Sequence, residues 1–106
     1  MTHLAATANV PTASASRYLQ QLCKHWAHNL AVTFDTDEGR IVFPRDARGG
    51  LSFPGDGTVT LRAHESGLEV LVAASAQEQL EGLKGAVASH LDRFAFREAP
   101  LAFDWR

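Results

Sequence analysis

The chain has 106 residues, of which 45% are hydrophobic and 21% charged, and its formal net charge is −2. That length fits one domain with a single core, 1–106, and that balance is globular and not disordered. A slightly acidic chain without a basic stripe offers no electrostatic case for nucleic-acid binding, so no nucleic-acid partner is expected.

Only one cysteine, Cys23, is present, so an internal disulfide is impossible and a reducing, cytoplasmic setting is expected. Met1-Thr2-His3-Leu4-Ala5-Ala6 lacks the basic start and long apolar run of a signal peptide. No stretch approaches the ~18 consecutive apolar residues that span a bilayer, and no membrane association is expected.

In chain order, Leu4 to Val10 is short and partly apolar and reads as an entering strand. Pro11-Thr12-Ala13-Ser14 reads as a helix start, with Thr12 or Ser14 as the cap. From Ser14 to about Asn29, Tyr18, Leu19, Leu22, Cys23 and Trp26 recur at three- and four-residue spacing, which gathers them on one side of a helix. Val32 and Phe34, then Ile41 and Phe43, alternate with other residues around Asp37-Glu38-Gly39, the pattern of a β-hairpin. Val59 and Leu61, then Leu68, Val70 and Val72, form a second hairpin about His64-Glu65-Ser66-Gly67. The segment Pro44 to Gly57 between the hairpins is long for a sheet connection.

Ser75-Ala76-Gln77-Glu78 has the spacing of a capping box, with Glu78 expected to reach back to the Ser75 amide. Ala76, Leu80, Leu83, Val87, Leu91 and Phe94 then make a helical stripe over 76–95. After Pro100, Leu101, Phe103 and Trp105 alternate with Ala102 and Asp104, so a last strand is expected, docked through its aromatic residues. One apolar face per strand and one stripe per helix lead to an α+β two-layer sandwich. Its sheet is mainly antiparallel, with two helices packed on one face.

The run Ser16-Arg17-Tyr18-Leu19-Gln20-Gln21-Leu22-Cys23-Lys24-His25-Trp26-Ala27-His28 is distinctive. With His90-Leu91-Asp92-Arg93-Phe94-Ala95-Phe96-Arg97-Glu98 and Phe103-Asp104-Trp105, it resembles the bacterial family called domain of unknown function 2218. The resemblance spans nearly the whole chain and implies a small bacterial cytoplasmic protein. It also implies an association with siderophore-interacting reductases, hence with iron metabolism, but carries over no mechanism.

Candidate chemistry is sparse. His25 and His28 lie three apart on the first helix, and His90 flanks the stripe of the second, so side-by-side helices would let His25 or His28 approach His90. Imidazoles suit zinc, iron or haem, making His25, His28 and His90 the candidate metal ligands. The ordinary alternative is a core-edge histidine bonded to a backbone carbonyl and a solvated one at the helix end. Arg17, Lys24, His25 and His28, with Arg93 of the second helix, could meet an anionic ligand; otherwise they are solvated surface. Arg45, Arg48, Gly49 and Gly50 are a further place for phosphate contacts, as is the Arg93 and Arg97 pair. Cys23 belongs to the apolar stripe, which suits an inert thiol better than a nucleophile.

No catalytic set is visible. The expected function is a non-enzymatic accessory or ligand-binding domain, linked through the resemblance to iron or siderophore handling. A metal- or haem-binding protein and a small enzyme are the alternatives. Glu78, Gly82, Gly85 and Ser89 line up on the second helix away from its stripe, and two helical glycines ask for a reason. Close approach by a second copy would supply one, giving a homodimer through the second helix.

Overall fold

The structure, a computed structural model, describes residues 4–46 and 53–106. Seven elements follow one another: β1 (Leu4–Pro11), α1 (Ala15–Trp26), β2 (Ala31–Phe34), β3 (Glu38–Phe43), β4 (Gly57–Ala63), β5 (Gly67–Ala74) and α2 (Gln77–Phe94). The strands form one antiparallel sheet in the order β1-β5-β4-β3-β2. Both expected hairpins are present, and the entering strand closes one edge of the sheet by pairing with β5.

Register places the alternating residues in rows across the sheet. Val32, Ile41, Val59, Val72 and Ala6 form one inward row, and Phe34, Gly39, Leu61, Val70 and Ala8 the next. Both helices cover this face, α1 mainly over β2, β3 and β4, and α2 over β5, β1 and β4. Ala15, Tyr18, Leu19, Leu22, Cys23 and Trp26 of α1 are buried there, as are Leu80, Leu83, Val87 and Leu91 of α2. The α+β two-layer architecture is therefore as expected, although Phe94 is only half-buried.

Gly39 carries the close packing between layers. A methyl group there would come within 2.6 Å of the Cys23 Sγ and 3.3 Å of a Leu19 methyl carbon. The thiol thus occupies space that a side chain on β3 would otherwise fill. Burial pushes the Cys23 thiol up to about 11, which keeps it protonated and inert at neutral pH.

Three local expectations need correction. Glu78 is not the back-reaching residue of the capping box, because α2 starts one residue later than that spacing assumes. Gln79 takes the role: its Oε1 accepts from the Ser75 amide at 2.7 Å. At α1, neither Thr12 nor Ser14 caps the helix amides with its side chain. The Ser14 amide donates to Thr12 Oγ1 at 3.1 Å, while the Thr12 hydroxyl donates to the Glu98 carboxylate, as does the Tyr18 hydroxyl. That bond to Glu98 is the main reason the Tyr18 hydroxyl is held above its ordinary pKa, with burial adding to it.

The third correction concerns the tail. Leu101 to Trp105 forms no strand, since backbone pairing with β1 occurs only between Thr7 and Arg106, at 3.0 and 2.8 Å. Elsewhere the tail is held by other means. The Leu101 amide donates to Asp92 Oδ1 at 2.8 Å, Leu101 is buried, and Phe103 and Trp105 stack at 5.7 Å. The Lys84 ammonium sits 5.5 Å from the Trp105 ring centroid. Alternation thus reported which side chains dock, without a ladder to go with them.

Among the described residues, no helix is long and apolar enough to cross a membrane.

Candidate functional site

A cavity of about 320 Å³ opens where the end of α1 faces the first half of α2. Trp26 and Leu30 come from the end of α1 and the turn after it, with Asn29 between them. Phe43 ends β3, and the chain continues along the rim as Pro44 and Arg45; Phe53 returns to the same side. From α2 come Glu78, Gln79, Gly82, Leu83, Ala86 and His90, spaced three and four apart, so that one helical face forms the opposite wall.

The walls are preset by contacts outside the empty volume. Trp26 packs edge-to-face on Phe43, with centroids 4.9 Å apart and planes at 82°. The 44–56 connection is closed at its base: the Phe53 amide donates to the Arg45 carbonyl at 3.0 Å, and the Arg45 amide to Asp56 Oδ1 at 2.9 Å. It is also tied to α2. Ser75 Oγ accepts from the Gly55 amide at 3.0 Å, and Gln79 Nε2 donates to the Gly55 carbonyl at 2.9 Å. Gly82 leaves one stretch of the helical wall without a side chain.

Of the residues singled out from sequence, His90 lines this cavity, with Arg45, Glu78 and Gly82. Arg17, Lys24, His25, His28 and Arg93 do not line it and lie exposed on the helix surfaces. Arg48, Gly49 and Gly50 lie outside the described residues. Arg97 is exposed and stacks 5.7 Å from the Phe96 ring centroid.

The helices do bring two of the three candidate metal ligands together: the His25 and His90 rings are 5.0 Å apart. His28 does not join them. Among the described residues, no group of three or more His, Cys, Asp or Glu side chains is placed to hold a metal ion. His90 is the histidine bonded to a backbone carbonyl, its Nδ1 lying 2.7 Å from the Ala86 oxygen. That bond leaves Nε2 as the acceptor of the neutral ring. His25 packs beside Phe94 at 5.9 Å. Desolvation first, then the charges of His90, Arg93 and His28, hold His25 below its ordinary pKa.

The small-residue face of α2 divides. Glu78 and Gly82 line the cavity, as do Phe43, Pro44, Arg45 and Phe53 of the same chain. A methyl group at Gly85 would meet nothing within 4 Å, and Ser89 donates back to the Ala86 carbonyl at 3.3 Å. Sequence reasoning missed Asn29, Leu30, Phe53, Gln79 and Ala86 as site residues altogether, and took Trp26, Phe43 and Leu83 for apolar face residues without a site. Phe53 alone left a signal, a large aromatic residue in a connection otherwise rich in Gly, Pro, Asp and Arg.

No curated protein matches the chain. Among solved structures, it is similar to the NMR structure of PA4090 from Pseudomonas aeruginosa, with a TM-score of 0.72 and 29% identity, over 96% of this chain and 94% of that one. The family described as uncharacterised protein conserved in bacteria, domain of unknown function 2218, matches residues 7–106, and the chain belongs to that family.

Proposed function

We propose that the chain is a non-enzymatic accessory domain that binds a small ligand in the cavity lined by the end of α1, by α2, and by Phe43, Pro44, Arg45 and Phe53. The observation that carries this reading is the cavity itself. It is a half-open, mainly apolar recess of about 320 Å³ whose rim and wall hold a few polar groups, Asn29, Arg45, Glu78 and His90. Such a combination is what small-molecule sites share. The experiment is a thermal-shift and NMR screen of the chain against a library of aromatic and aliphatic fragments, with Gly82→Leu and Ala86→Leu as two independent cavity-filling variants. Fragments that stabilise the wild type and lose that effect in a folded, filled variant support the reading. A library without binders, or binders indifferent to both variants, overturns it.

A second reading, binding of a transition metal or haem, is favoured by the 5.0 Å approach of His25 to His90. It is also where a link to iron metabolism would act. Untagged protein titrated with zinc, ferrous iron and haem tests it, since His25→Ala and His90→Ala should each weaken binding. Protein that takes up none of the three at micromolar concentration ends it.

A further inference from the structure

We infer that the cavity selects a small aromatic acid that also carries a hydrogen-bond donor, a ligand class resting on the proposed ligand-binding role. Three features of the lining lead there. The first is shape. Trp26, Phe43 and Phe53 supply three aromatic side chains to a space near the lower end of ligand-site volumes, and Gly82 opens the facing helix to a flat body. Aromatic walls reward planar rings through offset and edge contacts, which a flexible aliphatic chain cannot match.

The second feature is charge. Arg45 and Glu78 both border the cavity, and among the described residues neither forms an ion pair with the other or with a third group. The Arg45 backbone is fixed by Phe53 and Asp56, so its guanidinium starts from a defined place on the rim. A guanidinium receives a carboxylate through two parallel hydrogen bonds. Glu78 accepts only, and so calls for a donor such as an aryl hydroxyl or amine.

The third feature is what is already spoken for. Gln79 spends its amide on Ser75 and Gly55, and the Nδ1 of His90 is directed at Ala86. With Nδ1 directed at Ala86, the uncharged form of the His90 ring offers an acceptor at Nε2, in agreement with Glu78, and Asn29 adds an amide of either sense. One cation beside acceptors fits a ligand with one acid and one donor. A dianion would meet Glu78 unfavourably.

The test is titration of the full chain, followed by NMR and calorimetry, with para-aminobenzoate, benzoate, aniline and octanoate as probes. Para-aminobenzoate should bind tightest, by roughly tenfold over benzoate and over aniline, the loss expected for one charge-assisted hydrogen bond. Arg45→Gln should weaken benzoate and para-aminobenzoate by about tenfold and leave aniline unchanged. Glu78→Gln should weaken para-aminobenzoate and aniline and spare benzoate. Both substitutions are nearly isosteric and on the surface, so the fold survives them. Octanoate binding as tightly as para-aminobenzoate, or charge variants that change nothing, overturns the ligand class. If other fragments still bind and are blocked by filling the cavity, the ligand-binding role stands without it. If nothing binds there at all, both fall.

Discussion

Gln79 reaches two ways from the first turn of α2: its Oε1 accepts from the Ser75 amide at 2.7 Å, and its Nε2 donates to the Gly55 carbonyl at 2.9 Å. It is 5% exposed, so this amide is one of the few polar side chains inside the protein. Removing it leaves the partly buried Ser75 amide without its acceptor and the Gly55 carbonyl with the Ser75 hydroxyl as its remaining donor. Gln79→Ala should therefore destabilise the domain by about 1–3 kcal/mol, whereas Glu78→Gln should stay within about 0.5 kcal/mol of wild type. Urea unfolding of both variants checks this. Equal effects would restore Glu78 to the cap. Because Gly55 belongs to the connection that borders the cavity, Gln79→Ala should also weaken any ligand held there.

Gly39 and Cys23 form a second testable pair. The Cys23 Sγ lies 2.6 Å from where a Cβ at Gly39 would sit, too close for both to remain in place. Gly39→Ala should cost about 1–3 kcal/mol through overpacking between sheet and helix. Cys23→Ala opens that space, so the double variant should lose less than the sum of the two single losses. Strict additivity in denaturant unfolding would show that the clash is relieved elsewhere, for example by movement of Leu19.

How much was legible in the sequence follows from the range of each interaction. The stripes of α1 and α2 and the alternation of β2 to β5 depend on neighbours a few residues away, and these elements appear where the pattern put them. The capping box failed by one residue, because Gln79 and Glu78 are equally able to reach back and only packing against Gly55 chooses between them. The tail failed for a different reason. Its alternation reflects docking of Leu101, Phe103 and Trp105, while backbone pairing is confined to Thr7 and Arg106. The cavity was illegible because it joins Trp26, Phe43, Phe53 and α2 across the whole chain, and no local spacing encodes that meeting. The two histidines that do meet, His25 and His90, were foreseen from helix faces alone, yet the companion His28 was not separated from them.

Gly85 separates two explanations of the glycines in α2. It points into open space, so an added methyl group meets no atom of the chain. If that face is solvated, Gly85→Ala should stabilise the domain by about 1 kcal/mol, the difference in helix propensity. If it instead meets a second copy, the proposed homodimer, the same methyl group should weaken association. Thermal unfolding together with sedimentation of wild type and variant at tens of micromolar decides between them. A monomeric wild type with a stabilised variant removes the dimer. A dimeric wild type that dissociates on substitution establishes it.

The last prediction concerns acid. His25 is held below its ordinary value near 6.5 by desolvation and by His90, Arg93 and His28, so the unfolded chain takes up that proton more readily than the folded one. Stability rises with pH wherever the unfolded state binds more protons. The contribution of His25 is thus present above about pH 6.5 and is lost as pH falls from there through its lower folded value. Its exposure keeps the effect modest, because solvent screens much of the interaction. The thermal midpoint of the wild type should drop between about pH 7.5 and about pH 5.5, and His25→Gln should drop less. A chelator belongs in both samples, since a metal held between His25 and His90 would also be released by acid. If wild type and variant lose the same number of degrees, the acid sensitivity lies in other groups, and the approach of His25 to His90 has no electrostatic consequence for the fold.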